Sequence, residues 1–544
     1  MYARVIAGVA AIVLVWSCTS SAPPVSLADA SAVAPVVITR LGAVEGARED
    51  GIAVFRGVPF AAPPVGANRW RAPQPAARWD GVKQATKFAS ACFQASGAAA
   101  GGVAQNQSNE DCLYLNVWTP AKTSAEKLPV MVWIYGGGFS AGATSTPLYS
   151  GEKLAERGVV VVSVAYRVGP MGYLAHPELS AESPSRVSGN YGLLDQIAGL
   201  DWVKANIRSF GGDPAKVTIF GESAGGIAVS MLAASPLAKG KFSGAISQSG
   251  GSFGATHAPP LPGENVQRLD QAEKAGVAFV AKLGGGIAAA RAKPAAEVQA
   301  ASRPTGGSGE VDAVSWPVMD GQVIPDDQHR LYEAGRYNDT PVLIGFNSDE
   351  GALFGGPVTK AAHEKTVKDR YGPFADEVLR TFPAASDSEA TQASRDLATD
   401  VMFGWHTLDW ARLQNQTGRS PVWFYYFDNK PPYPAGNRLA SAKGAPHAAE
   451  LPYVFGHLSQ QTTMPWRPED HAISDAMVGY WTNFAKTGDP NGAGLPAWPR
   501  FTKASETVMI FKGAPTPGAL PDPQHFDVLG RYMAWRRSPE GARK

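Results

Sequence analysis

Cysteine is scarce: Cys18, Cys92 and Cys112 are all that 544 residues contain. That excludes a small scaffold held together by a disulfide framework. No group of histidines and cysteines has ligand spacing, which argues against a metal centre. Charge of one sign is also lacking. Lys and Arg total 49 against 48 Asp and Glu, a formal net charge of +1, so there is no electrostatic case for nucleic acid or an acidic membrane surface as partner. A small or neutral ligand fits better. The apolar run from Val5 to Trp16 has only 12 residues, short of the roughly 20 that a membrane span needs. Behind the basic Arg4 it reads as an export signal, and no other stretch is long and apolar enough to cross a bilayer. Two exits compete: a lipid on Cys18, since "VWSC" is like a bacterial lipoprotein box, or cleavage after the "ADA" of Ala28 to Ala30. Either removes Cys18 from the count of free thiols. Cys92 and Cys112 are then free to pair across a short loop, the alternative being two buried thiols.

What is present is a long α/β texture. After a Pro/Ser/Ala tail to about Pro35, "VVITRLGAVEG" and "IAVFRGVPFA" alternate like paired strands with glycine turns. "LPVMVWIYGGG" and "GVVVVSVAYR" are apolar β-branched runs of the buried parallel kind, and helix-like stretches such as "GLLDQIAGLDWVKANI" follow them. The alternation continues through "VTIF" and "GAISQSG" to "TPVLIGFNSDEG", which predicts a doubly wound, mostly parallel twisted sheet flanked by helices. Residues 1–30 are read as the signal and tail, and 31–544 as one large domain. Two insertions are expected, near 93–111 and 263–310, the second, an Ala-rich helix and then "SRPTGGSGE", as a whole a mobile surface excursion. There is no internal repeat.

Glycine, 59 residues of it, makes the pattern G-x-S-x-G cheap: it occurs around Ser140, Ser223 and Ser252. A nucleophile elbow needs a strand, a sharp turn and a helix whose N-terminus faces the reaction. Only Ser223 has all three, between "VTIF" and "AGGIAVSMLAAS". Ser140 runs into loop, and the prolines after Ser252 forbid a helix there. The "GGG" at Gly136 to Gly138 then acquires a purpose. Tetrahedral acyl-transfer intermediates need backbone N–H donors, and the expected set is Gly137, Gly138 and Ala224.

These residues resemble the type-B carboxylesterases of the α/β-hydrolase fold, the group that includes cholinesterases and bacterial p-nitrobenzyl esterases. The resemblance runs over nearly all of the mature chain, through "FRGVPFAAPPVGANRW", "NEDCLYLNVWTP", "VWIYGGGFSAG", "YRVGPMGYLAH", "FGGDPAKVTIFGESAGG", "GFNSDEG", "HAAELPYVFG" and "WTNFAKTGDPNG". It implies a serine carboxylesterase of small-molecule esters that uses no cofactor.

A serine hydroxyl needs a base, and the base needs an orienting carboxylate. His447 in "KGAPHAAELPYVFG" matches the family's His-x-x-Glu position, ahead of His457 in the same motif. Glu350 in "NSDEGALF" matches the family's acid, with Asp349 beside it as the alternative. The order Ser223, Glu350, His447 is that of the fold. The resemblance further implies that Ser249 hydrogen-bonds close behind the triad, that Glu222, just before the nucleophile, points into the pocket, that Arg69–Glu110 and Arg167–Asp195 are structural ion pairs, and that Trp316 and Trp405 lie where gorge walls form. One departure bears on substrate. Cholinesterases place in the disulfide loop a tryptophan that binds quaternary ammonium, whereas Cys92 to Cys112 contains no Trp or Tyr here, so choline esters are not expected as preferred substrates. Other readings on the same machinery are an amidase, a lactonase, a carbamate hydrolase, or a non-catalytic cholinesterase-like binding protein.

Overall fold

The computed structural model describes residues 34–95, 107–258, 260–261, 264, 266–302 and 314–543. The export segment with Cys18, most of the loop between Cys92 and Cys112, and part of the 263–310 insertion lie outside them.

An eleven-stranded sheet carries the fold. In chain order its strands are β1 (Ala47–Glu49), β2 (Ile52–Pro59), β3 (Tyr114–Thr119), β4 (Leu128–Ile134), β5 (Val160–Val164), β6 (Gly212–Glu222), β7 (Gly244–Gln248), β8 (Val342–Asn347), β9 (Val422–Phe427), β10 (Thr507–Lys512) and β11 (Ala514–Ala519). Their spatial order is β11-β10-β9-β8-β7-β6-β4-β5-β3-β2-β1. From β5 to β10 every pairing is parallel, and the antiparallel pairings lie at the two margins. The central strands read as unbroken apolar runs because helices cover both faces; β5 and β7 are buried at every residue.

Val36–Ile38 and Ala43–Glu45 pair with each other in a separate three-stranded sheet, while β2, expected beside them, pairs with β1 and β3 instead. β9 to β11 lie beyond the strands read from sequence. β11, "APTPGA", holds two prolines and is tolerated because it is an edge.

Four helices matter for the site: α1 (Tyr191–Asn206), α2 (Ala224–Ala234), α3 (Trp405–Thr417) and α4 (Pro468–Thr487). α2 is buried at all of its residues, as an apolar helix inside a large core should be. Each of its large side chains, Ile227, Met231 and Leu232 among them, contributes roughly 1.5–3 kcal/mol through burial.

The described part of the 263–310 insertion is helical, as expected, but packed; its stretch 303–310 lies outside the described residues. Leu269–Ala281, Ile287–Ala292 and Ala295–Ala301 are helices. They bury Phe279, Val280, Leu283, Ile287 and Val298 against Trp70, Met171 and Leu174 in a satellite core. Arg69 pins them, donating from Nη1 to Arg291 O (3.0 Å) and Lys293 O (2.6 Å) while its other nitrogens hold Glu110 at 2.6 and 2.5 Å. The described part of the insertion is thus packed structure rather than a surface excursion, because its small residues let short helices approach closely. Among the described residues no helix is long and apolar enough to cross a membrane.

Candidate active site

The elbow is a backbone construction before it is a side chain. β6 ends at Glu222, α2 begins at Ala224, and Ser223 between them has φ 54° and ψ −126°, a conformation that costs a non-glycine residue on the order of 1–3 kcal/mol. Two hydrogen bonds hold it. Ser223 N donates to Gln248 O (2.9 Å), and Ile227 N donates to Ser223 O (2.8 Å). The flanking glycines are required by close approach: a Cβ at Gly225 would lie 2.0 Å from Ile134 O, and one at Gly221 would lie 2.5 Å from the carbonyl carbon of Gly225. Ser223 is left half-buried at the C-terminal end of β6. The other two pattern serines stand differently. Ser140 Oγ donates to Gly138 O in a turn (3.1 Å), and Ser252 is buried in a loop; neither opens a helix.

Glu350 and His447 come from segments 97 residues apart, and the end of β8 ties them together. Asn347 Nδ2 donates to Pro446 O (2.9 Å), Ala445 N donates to Ser348 Oγ (2.9 Å), and Asp349 N donates to Ala445 O (2.9 Å). Asp349 Oδ2 accepts from Lys443 N (2.7 Å) and Gly444 N (3.3 Å). Asp349 therefore holds the loop that precedes His447, while the adjacent Glu350 faces the imidazole. Glu350, fully buried, contacts His447 Nδ1 through Oε2 and accepts at Oε1 from Asn347 N (2.7 Å) and Ser249 Oγ (2.5 Å). In the neutral imidazole Nδ1–H of His447 then points to Glu350 and the lone pair of Nε2 is directed toward the elbow.

Nε2 lies 3.2 Å from Glu222 Oε1, and no hydrogen bond joins it to Ser223 Oγ in this structure; such contacts commonly tighten only when substrate is bound. Burial raises the Glu222 pKa to about 8. For His447 burial works downward, but Glu222, Glu350 and Glu450 outweigh it and raise the imidazole to about 9. The two groups titrate as a pair.

The glycine loop after β4 lies against this point. Gly137 and Gly138 have φ 115° and 61°. Gly137 O is occupied by Ser140 N and Ala141 N, both at 3.1 Å, whereas the amides of Gly137, Gly138 and Ala224 donate to none of the described residues. A Cβ on Gly136 would sit 3.0 Å from Ser223 Cβ and 2.8 Å from Glu222 Oε2, which places the loop, the carboxylate and the serine side by side. A half-buried hydroxyl, an oriented imidazole and free amide donors around one point are the parts of acyl transfer.

The wider relationships of the sequence agree with this chemistry. The Carboxylesterase family description matches residues 33–519. A fumonisin B1 esterase of Sphingopyxis macrogoltabida is 39% identical over 486 residues, covering 87% of this chain and 85% of that protein. The para-nitrobenzyl esterase of Bacillus subtilis is 35% identical over 491 residues, 87% and 94% of the respective chains. Among solved structures, a PNB esterase matches with a TM-score of 0.77 and 33% identity over 91% of this chain and 100% of its own. The chain belongs to the carboxylesterase family. Its sheet and helices are those of the α/β-hydrolase fold, and its activity is serine carboxylesterase activity, the hydrolysis of carboxylic esters.

Several residues of this carboxylesterase's site had no role in the sequence reading. Glu450 closes the His-x-x-Glu spacing yet was given no task. It is fully buried, and it accepts from Gln248 Nε2 (2.8 Å) and Asn347 Nδ2 (2.6 Å). Its pKa is raised by burial and then by Glu350. Phe403 stacks on the His447 ring at 4.6 Å and the exposed Phe354 tilts against it at 5.0 Å. Phe403 is aimed by a π-helical turn, Asp400–Gly404, that precedes α3. Neither Trp316 nor Trp405 makes a ring contact with His447. Trp405 is buried with the Arg537 guanidinium 5.5 Å over its ring, and Trp316 is half-buried.

His457 is a structural histidine: Nε2 donates to Ser150 O (2.8 Å) and Nδ1 accepts from Gln460 (3.1 Å). Arg167 and Asp195 form a buried bidentate pair at 2.8 and 2.7 Å. Cys92 and Cys112 are joined as a disulfide.

Proposed function

We propose that Ser223 is the nucleophile, His447 the general base and Glu350 the acid that orients it. The reading is carried by one observation: His447 is tied through Nδ1 to Glu350 and turns Nε2 to a strained strand-turn-helix elbow that bears a half-buried serine. Ser223 Oγ attacks the ester carbonyl carbon while His447 Nε2 takes its proton. The carbonyl oxygen becomes an oxyanion, to which the amides of Gly137, Gly138 and Ala224 donate. When the tetrahedral intermediate collapses, the bond to the alcohol oxygen breaks and the imidazolium returns its proton to that oxygen. Water repeats the cycle on the acyl-serine and releases the carboxylic acid. Ser249 fixes Glu350 through its hydroxyl, and Glu222 holds the imidazole from the serine side. The substrate is a small-molecule ester, and choline esters are not expected as preferred substrates.

Residues 31–544 act as one catalytic unit in this reading, and the enzyme works outside the cytoplasm, free or lipid-anchored at Cys18. The apolar run Val5 to Trp16 and the Cys92–Cys112 disulfide support export. The test is turnover of a p-nitrophenyl ester series, acetate to octanoate, by the wild type and by folded Ser223→Ala. Loss to background in the variant is expected; equal rates would refute the assignment of Ser223.

A further inference from the structure

Three backbone amides are a useful oxyanion site only if the loop that carries two of them does not yield. The loop from Gly136 to Gly142 has no regular pairing of its own. At its near end, Gly137 O accepts from Ser140 N and Ala141 N, and a Cβ at Gly137 would meet Ala141 O at 2.3 Å. Its far end is fastened by something else. Gly142, at φ 128°, has no room for a Cβ, which would meet the Tyr135 ring at 2.3 Å and Gly136 O at 2.6 Å. Its amide and its carbonyl are both taken by one side chain: Gln94 Nε2 donates to Gly142 O (2.8 Å), and Gly142 N donates to Gln94 Oε1 (2.9 Å). The second hydrogen of Nε2 goes to Cys92 O (2.9 Å). Gln94 is 1% exposed, so water does not compete for these bonds. A primary amide with one face on the loop and the other on the Cys92 backbone is spent on geometry.

The geometry points to Gln94 as the positioning residue for the oxyanion amides of Gly137 and Gly138. Gln94 sits two residues past Cys92, whose disulfide to Cys112 fixes its own backbone. The disulfide thereby holds the clamp, and the clamp holds the loop. Only a primary amide supplies both a donor and an acceptor in one plane at that reach. A carboxylate would set an acceptor against Gly142 O and Cys92 O, and an aliphatic side chain would leave the Gly142 amide and carbonyl buried without partners. Gln94 touches no reacting atom. Its effect on rate passes through the loop, so it belongs to the transition state, in which charge develops on oxygen, and not to ground-state binding. The inference rests on the oxyanion assignment proposed above.

The experiment uses the full-length mature enzyme with Gln94→Leu, nearly isosteric, and Gln94→Asn, which keeps the amide but is one methylene short. Circular dichroism and melting select folded variants. For these, kcat on p-nitrophenyl acetate is expected to fall about 10- to 100-fold with KM within about twofold, below the effect of about 100- to 1,000-fold that follows removal of a whole oxyanion donor. Inhibition constants are then compared for a trifluoromethyl ketone, which adds Ser223 and forms an oxyanion, and for the alcohol of the same skeleton, which does not. The ketone should weaken in proportion to kcat while the alcohol stays unchanged. Folded Gln94 variants that keep kcat within about threefold would overturn the role, as would parallel weakening of both inhibitors, which would mark a merely structural side chain. Ser223→Ala with undiminished activity would sink the active-site assignment itself, an outcome distinct from failure at Gln94.

Discussion

Replacing Glu222 by glutamine should move the acid limb of the kcat/KM profile to lower pH. Glu222 Oε1 stands 3.2 Å from His447 Nε2. At that separation an ionised carboxylate and an imidazolium attract by about 5 kcal/mol at an effective dielectric of ~20, nearly four pKa units at about 1.36 kcal/mol each. The full amount is not available, because burial raises Glu222 to about 8, so that it becomes increasingly neutral below that pH and shares protons with the imidazole as a pair. A downward shift of about one to two units is the expected result. The sign follows from the role of the base. An imidazole raised to about 9 reaches its neutral, proton-accepting form late as pH rises, and removing the neighbouring negative charge lets it do so earlier. Glu350 and Glu450 remain and keep it from falling far below the ordinary histidine value. The assay is kcat/KM for p-nitrophenyl acetate from ~pH 5 to ~pH 10.5, since that parameter reports the free enzyme. Glu222→Asp, charged but shorter, should fall between. A limb that stays in place, or moves upward, in a folded Glu222→Gln enzyme would refute the electrostatic pairing.

Two further tests address the scaffold. Glu350→Gln should remove most activity with little loss of fold, whereas Asp349→Ala should cost about 1–3 kcal/mol of stability through the freed Lys443 and Gly444 amides, so comparing rates with melting temperatures separates the acid from its neighbour. Arg167→Met leaves fully buried Asp195 without its partner and should destabilise by about 3–5 kcal/mol, read as a lower midpoint of denaturant unfolding; a shift under about 1 kcal/mol would mean that water reaches the site.

How much of this was legible in the chain depends on the kind of signal. β-branched runs announced β4, β5, β6 and β8 because strands covered on both faces must be apolar throughout. Strand β11 was not legible, since "APTPGA" has the composition of a loop and becomes a strand only because β10 offers it an edge. The three helices of the 263–310 insertion looked like surface because alanine alone does not tell packing from exposure; Trp70, some 200 residues away, decides it.

The same division runs through the site. The sequence by itself determined the elbow, since strand, turn and helix around Ser223 are adjacent in the chain and Gly221 is demanded by Gly225 within that unit, although Gly225 is demanded from outside it, by Ile134 O of β4. It also determined the membership of the family and the candidate identity of His447 and Glu350 through short local motifs. Only the tertiary structure decided that Asp349 grips the 443–444 backbone while Glu350 meets the imidazole, for neighbours on one turn differ only in direction. Only the tertiary structure brought Glu450, Phe403 and Gln94 to the site. Their contacts join residues 44 to 202 positions apart in the chain, and no local pattern encodes a separation that the sheet order creates.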